Sequence, residues 1–208
     1  MKKALLVILA AGSFLTASAQ SKSSIGIKGG VNFASAKPYN GSITSFSAGI
    51  FINFKLSQAI SLQPGTFYSG KGYKMGDRNE KINLGYIHIP VPFVYQQSAG
   101  PGKFFFGAGP FAAVAVSANR KRYGPIYYYD TTPGYYSSKI TIGSNTNLAD
   151  GSSDNIKRMD YGITGLAGYS LNNGLLFTVS YDLGVANTSY YNNVKTRVLG
   201  VSVGYYFK

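Results

Sequence analysis

The sequence contains no cysteine and no tryptophan, and only 7 of its 208 residues are aspartate or glutamate. Without cysteine the chain can carry neither disulfide bonds nor a lipid on an N-terminal cysteine, which excludes a disulfide-stapled secreted domain and a lipoprotein. Charged residues of both signs make up 13% of the chain, whereas about 25% is usual in a soluble domain. The chain therefore offers unusually little side-chain chemistry for a surface that faces water.

No apolar run is long enough to cross a bilayer as a helix. The longest run, residues 4–15, falls short of the roughly 20 residues that a transmembrane helix needs. It follows two lysines and precedes a small-residue segment that ends at Ala19, which is the pattern of a secretory signal peptide. We predict a cleaved signal peptide over residues 1–19 and one domain over residues 20–208. Any membrane insertion of the exported chain must then use strands.

What the chain does contain is alternation at period 2. Within residues 195–207, one side of the predicted strand carries Leu199, Val201, Val203, Tyr205 and Phe207, and the other side carries Gly200, Ser202, Gly204 and Tyr206. Successive residues of a strand point to opposite faces, so this strand has an apolar face with aromatic residues at its end and a small or polar face. That is the outward and inward pattern of a strand in an outer-membrane barrel.

Eight segments of this kind are separated by turn residues. They are residues 24–34, 44–55, 59–71, 83–96, 103–118, 158–171, 174–186 and 195–207. Two prolines in the fourth segment predict a bulge or kink there, and Phe51 is the one apolar residue off the pattern of the second.

The predicted connections alternate in length. Short ones lie at residues 56–58, 97–102 and 172–173, and longer ones at 35–43, 72–82, 119–157 and 187–194. Outer-membrane barrels have short periplasmic turns and longer external loops. We therefore predict an all-β fold, an eight-stranded antiparallel up-and-down transmembrane β-barrel with both termini on the periplasmic side.

The third long connection, residues 119–157, is too long for a simple connector, since loops above about 15 residues are usually functional or disordered. We expect a surface-exposed hairpin extension followed by a mobile segment. An insert without a role is the alternative.

Aromatic residues near the predicted strand ends are expected to form an interfacial girdle, with tyrosine in place of the missing tryptophan. On the periplasmic side these are Tyr95, Phe104, Phe105, Tyr169, Tyr205 and Phe207.

Five of the predicted strands carry short motifs, at residues 26–33, at 61–64 with 68–72, and at 87–91, 107–110 and 181–187. These motifs resemble those of the small outer-membrane barrels of Bacteroidetes, often called PorT-like. The resemblance implies the barrel fold and the outer membrane, and it suggests an accessory subunit of a secretion or gliding apparatus. The chain departs from the family in having Pro64-Gly65-Thr66 in place of Pro-Glu-Leu, and in having Lys208 after the terminal aromatic Phe207.

Two charged residues, Lys28 and Asp182, have inward parity on the first and seventh predicted strands. An eight-stranded barrel is just wide enough for side chains to fill, and an unpaired charge inside it is costly. We predict a lumen plugged by side chains, with Lys28 and Asp182 in a paired polar network that Asp160, Thr178 and Ser180 join. A proton or ion path is the alternative interpretation of these residues.

Basic residues cluster where the predicted loops begin and end, and the net charge is +13. Such an excess indicates a polyanionic partner, but an exported chain without a nucleic-acid-binding motif points to phosphorylated lipid rather than to nucleic acid. Arginine binds phosphate in bidentate geometry and lysine as a point charge. We predict lipopolysaccharide contacts from Lys71, Lys74, Arg120, Lys121, Arg122, Lys157, Arg158 and Arg197, in a rim that also holds Arg78, Lys81 and Lys195. The alternative is a solvated rim that only aids solubility.

His88 is the only histidine and has inward parity. A hydrolase triad needs a nucleophile, a base and an orienting group within reach of one another, yet no Gly-x-Ser-x-Gly or His-Glu-x-x-His motif occurs in the sequence. We predict no enzyme, no catalytic site, no metal and no cofactor.

The expected protein is a monomeric barrel that acts structurally or through its external loops, with outer-membrane lipid and other envelope proteins as partners. A diffusion porin would need about 16 strands. The open alternatives are a secretion or gliding accessory subunit, a narrow ion-conducting pore, and a soluble periplasmic lipocalin-like barrel with its apolar face inward.

Overall fold

The computed structural model describes residues 23–75, 80–125, 133–140, 142, 156–190 and 193–207. The predicted signal peptide and much of the third long connection lie outside these ranges. Within them, eleven strands form: β1 (Ser24–Lys37), β2 (Tyr39–Lys55), β3 (Ile60–Leu62), β4 (Gly65–Met75), β5 (Glu80–Pro90), β6 (Phe93–Ala99), β7 (Gly102–Pro125), β8 (Pro133–Lys139), β9 (Met159–Leu171), β10 (Leu175–Gly184) and β11 (Lys195–Phe207). No helix in these ranges is long and apolar enough to cross a membrane.

Antiparallel pairing closes these strands into a ring of eight positions, here called staves, each formed by one strand or by two consecutive short strands. Strand β1 pairs with β2 on one side and with β11 on the other, which closes the ring. Strands β3 and β4 together form the third stave, and β5 and β6 form the fourth. Strands β7, β9, β10 and β11 complete the ring. The predicted eight-stranded antiparallel barrel is confirmed.

Prolines divide the third and fourth staves. Pro64 separates β3 from β4, and Pro92 separates β5 from β6. Proline has no amide hydrogen to donate to a ladder, but the carbonyls of both residues still accept hydrogen bonds of 2.9 Å, from the amides of Ile52 and Gln63 respectively. The predicted fourth strand is therefore interrupted at residues 91–92 and has a β-bulge or irregularity between Gly85 and Tyr86, and the neighbouring strands stay joined across the interruption.

Apolar side chains of the barrel wall point away from its axis. The exposed fractions of Phe106, Ile163 and Val179 are 61%, 57% and 50%, while inward positions between such residues are buried. Phe51, which breaks the alternation of its strand, points inward and is 4% exposed. The outward apolar face is thus confirmed, and the lipocalin-like alternative, which needs that face inside, is wrong.

The two ends of the barrel differ. The turn end holds the start of β1, the end of β11 and three short connections, at residues 56–59, 100–101 and 172–174. The loop end holds the other strand ends. The three short connections therefore lie at one end of the barrel, as predicted.

At the loop end, the strands run further than predicted. Strands β1 and β2 are joined through Pro38 alone, so the predicted loop over residues 35–43 is mostly strand. Strands β4 and β5 likewise extend to Met75 and from Glu80. Tyrosine and isoleucine, which occur in these extensions, suit strands, and each extension gains ladder hydrogen bonds to its neighbour, so the sheet continues past the apolar part of the wall.

The third long connection begins as a hairpin, as predicted. Strand β7 continues to Pro125, and its residues 119–125 pair with β8. Residues 126–132, 141 and 143–155, which include the predicted mobile segment, lie outside the described residues. The described residues resume at Ile156, which forms isolated β-bridges with Ile142 and Ser189.

Candidate functional site

The lumen is the most distinctive chemical environment of the molecule. Toward the turn end, an apolar group, here called the turn-end cluster, comprises Phe51, Phe67, Val94, Phe105 and Leu176. Toward the loop end, a larger group, the loop-end cluster, includes Tyr73, Ile82, Leu84, Tyr86, Phe111, Ile140, Ile156 and Val194. Polar and charged side chains lie between the two clusters.

The turn-end cluster fills the barrel cross-section with aromatic rings. Phe51 meets Tyr206 edge-on, with ring centroids 5.1 Å apart. Phe105, predicted for the lipid-facing girdle, is instead 4% exposed inside this cluster, because it has inward parity between the exposed Phe104 and Phe106. The girdle interpretation is therefore wrong for Phe105.

A buried ion pair joins opposite walls of the lumen. Lys71 Nζ lies 2.9 Å from Asp160 Oδ2, and both side chains are 0% exposed. Thr196 Oγ1 donates a 2.8 Å hydrogen bond to the same oxygen. The ammonium group also lies 4.6 Å from the ring centroid of Phe111 and 5.1 Å from that of Tyr86, close enough for cation–π attraction.

The position of Lys71 corrects the sequence prediction, which placed it at the lipopolysaccharide rim. The predicted third strand ended at residue 71, whereas β4 continues to Met75. Lys71 shares inward parity with Ser69 and Tyr73, so it points into the lumen, where a fully buried side chain cannot reach lipid. That parity was the signal in the sequence that could have identified it.

A small polar cavity lies beside this ion pair. Its volume is about 60 Å³, which is room for a few water molecules. The polar residues that line it are Lys28, Asn32, Ser47, Ser69, His88, Thr164, Ser180, Asp182 and Ser202. Asn32 Nδ2 donates to Ser69 Oγ at 3.0 Å and to the Gly70 carbonyl at 3.1 Å, which holds two walls of the cavity together.

Lys28 and Asp182, which we predicted in one paired polar network, both line the cavity, but none of the ion pairs in the described part of the chain joins them directly. Asp182 Oδ2 lies 3.6 Å from His88 Nε2, and the His88 ring packs on Phe111 with centroids 4.8 Å apart. Lys28 Nζ lies over the ring of Phe67 at 5.1 Å. Strand parity put these groups in the lumen correctly, but it could not fix their height along the axis.

The other predicted members of the network divide between two places. Ser180 lines the cavity, and Asp160 belongs to the ion pair with Lys71, a partner that the prediction missed together with Thr196. Thr178 is 3% exposed but does not line the cavity. Between the two clusters the described lumen thus holds two lysines and two aspartates, so the formal charges there balance when His88 is neutral, and nearer the loop end Glu80 and Arg120 form a second ion pair.

Removal of the Asp182 carboxylate should destabilise the barrel. Asp182→Ala takes away the neighbour of His88 and leaves Lys28 and Lys71 between the two clusters with Asp160 as the one remaining carboxylate there, and a buried charge without compensation is costly. We expect a lower temperature for the gel-mobility shift between folded and unfolded barrel. Thr178→Ala, a control on the same inward face, should shift it less. An unchanged transition in Asp182→Ala would show that Asp182 contributes nothing to stability.

The predicted rim residues have different environments. Lys74, Lys121 and Arg158 are exposed, and Arg197 is half-buried. Arg120 Nε forms a 2.6 Å ion pair with Glu80 Oε1, and Lys157 Nζ lies 5.5 Å from the ring of Tyr190. The side chain of Arg122, like the whole of Arg78, lies outside the described residues.

One family model matches the chain. It is described as an outer membrane protein beta-barrel domain, and it matches residues 18–190. No curated protein matches the chain.

Several solved structures are similar in fold. The outer membrane enzyme PagL has a TM-score of 0.50 and 12% identity, over 86% of this chain and 98% of that chain. OprG from Pseudomonas aeruginosa has a TM-score of 0.46 and 13% identity, over 90% and 97%. The attachment invasion locus protein Ail of Yersinia pestis has a TM-score of 0.44 and 12% identity, over 90% and 99%. At these identities, the likeness concerns the fold alone.

Proposed function

This chain belongs to the family of the outer membrane protein beta-barrel domain, and from that premise we propose that it is a plugged outer-membrane barrel that acts through its loop end. In this proposal the wall anchors the protein in lipid, and the loop end presents surfaces to partners outside the cell. The protein is neither an enzyme nor a diffusion porin.

The filled lumen is the observation that carries this proposal. Aromatic and aliphatic side chains occupy the turn end, and the loop-end cluster, with Ile140 and Ile156 from the third connection, occupies the other. Eight strands leave an interior about wide enough for side chains alone. A cavity of about 60 Å³ lies between the clusters, and a space of that size favours a structural lumen over a channel.

The loop end supports the interaction role. The β7–β8 hairpin extends beyond the closed ring and, in the described part of the chain, β8 pairs with β7 alone. A strand edge without a described neighbour can pair with another chain. Surface protease treatment of intact cells tests the orientation: we expect cleavage between β7 and β9 and a protected barrel. Cleavage only after the outer membrane is permeabilised would contradict it.

Planar-bilayer recordings test the plug. The wild-type barrel should show no stable conductance, because ions would have to cross both apolar clusters. Phe51→Ala/Phe105→Ala removes two rings of the turn-end cluster and opens only one end, so it too should stay closed. Phe104→Ala, on the lipid side of the same strand, is the control. Steady conductance by the wild type would instead favour the narrow pore.

A second candidate function comes from the PorT-like motifs in the strands, including residues 26–33 and 181–187. These support an accessory role in a secretion or gliding apparatus. A pull-down from detergent-solubilised envelopes tests it, since an accessory subunit should bring down one envelope protein at fixed stoichiometry. Deletion of the β7–β8 hairpin should release that partner if the loop end is the contact.

A further inference from the structure

Three lysines from three adjacent strands lie side by side on the outer wall at the loop end. Lys74 of β4 is directly opposite Lys81 of β5, and Lys81 is directly opposite Lys121 of β7. All three side chains are exposed. Cβ atoms at directly opposite positions are about 4.5–5.5 Å apart, and like charges there destabilise a sheet. A row of this kind is costly unless an anion compensates it.

The nearest described carboxylate does not neutralise the three lysines. Glu80 is next to Lys81 in sequence but has the opposite parity, and its side chain is 7% exposed and bound to Arg120 at 2.6 Å. Among the described residues, no carboxylate lies within 4.0 Å of the three ammonium groups. The row is therefore an exposed concentration of positive charge.

A polar groove runs beside the lysines. Its volume is about 340 Å³, and its lining includes the three lysines together with Ser42, Thr44 and Asn83. Hydroxyl and amide groups donate hydrogen bonds, and lysine supplies three donors on a compact charge. This donor set fits the oxygens of a phosphate group.

The groove begins where the apolar wall ends. Phe46 is 60% exposed and stacks on Tyr68 with ring centroids 5.2 Å apart. Thr44 is two residues further along the same outward face of β2, or about 7 Å along the strand. A lipid packed against Phe46 and Tyr68 would thus hold its headgroup at the level of the groove.

We propose that Lys74, Lys81 and Lys121, with the groove beside them, form a binding site for the phosphate groups of lipopolysaccharide. The inference rests on the proposed outer-membrane function and narrows its lipid contact to one wall of the barrel. Lipid-linked phosphate is favoured over free phosphate because the site opens sideways above the lipid-facing apolar wall.

The test uses the full-length barrel in nanodiscs with defined lipopolysaccharide. Lys74→Ser/Lys81→Ser/Lys121→Ser should weaken binding about a hundredfold, from roughly fivefold for each lysine near an anionic surface. The charge-matched control Lys37→Ser/Lys55→Ser/Lys103→Ser, with lysines elsewhere on the barrel, should bind nearly as tightly as wild type. Because the test variant loses like-charge repulsion, it should fold at least as stably.

Two further probes separate the sources of phosphate. Dephosphorylated lipopolysaccharide should bind wild type as weakly as the native lipid binds the test variant. Inorganic phosphate should bind far more weakly than lipopolysaccharide, and equal affinity would overturn the lipid assignment.

The site is wrong if the test and control variants lose affinity equally, or if neither does. Cell fractionation of the same variants keeps this failure distinct from failure of the proposed function. Wild type outside the outer-membrane fraction refutes the proposed function, whereas correct fractionation with unaltered binding refutes the site alone.

Discussion

Lys71→Met should lower the free energy of unfolding of the barrel by about 3–5 kcal/mol, the usual effect of removing one partner from a buried ion pair. The substitution keeps most of the apolar stem of the side chain but leaves the Asp160 carboxylate, 0% exposed, without its cation. The Thr196 hydroxyl, at 2.8 Å, remains as its only described hydrogen-bond donor. One neutral donor cannot offset the desolvation of a carboxylate.

Urea unfolding in lipid vesicles measures this effect, and a double variant separates the pair from its members. Lys71→Met/Asp160→Leu removes both charges, and apolar replacement of a whole buried pair is often neutral or stabilising. We expect the double variant to recover most of the loss. Lys74→Met, three residues along the same strand but exposed, should change stability by no more than about 0.5 kcal/mol. A double variant less stable than Lys71→Met would contradict the ion-pair account.

Lys71 also shows which features of this fold could not be predicted from the sequence. Alternation assigned the outward and inward faces correctly, even along β11, whose bounds match the prediction, and the turn residues gave the strand number. Strand ends at the loop end were harder, because nothing in a polar strand marks the level at which lipid stops. Lys71 was placed at the rim for that reason.

Side-chain contacts across the lumen could not be predicted from the sequence, for a different reason. Parity says that Lys28, Lys71, Asp160 and Asp182 face inward, but which of them meet depends on strand tilt and on the stagger of the closed ring. The register from β4 to β9 brings Lys71 to the height of Asp160, and it leaves Asp182 nearer to His88. Four charges on four strands could have paired in other ways, and the sequence carried no information that selected among them.

The direction of the apolar face can be tested by a charge placed on it. Val179, near the middle of β10, is 50% exposed between Val201 of β11 and Ala167 of β9. Val179→Arg should lower the free energy of unfolding of the vesicle-inserted barrel by about 2–4 kcal/mol, the range for arginine at the bilayer midplane of a barrel. Urea titration of the vesicle-inserted protein measures it.

The control for this experiment is an arginine at a different depth in the membrane. Thr44→Arg places the same charge on the outward face of β2 beyond Phe46, where the penalty should fall to about 0–1 kcal/mol. On a protein whose wall met water, both arginines would be exposed surface substitutions, each within about 0.5 kcal/mol of neutral. A large loss at Val179 with a small one at Thr44 therefore requires hydrocarbon around the middle of the wall. Equal small effects would contradict a membrane-spanning barrel, because only an apolar solvent makes the cost of an exposed charge depend on its height.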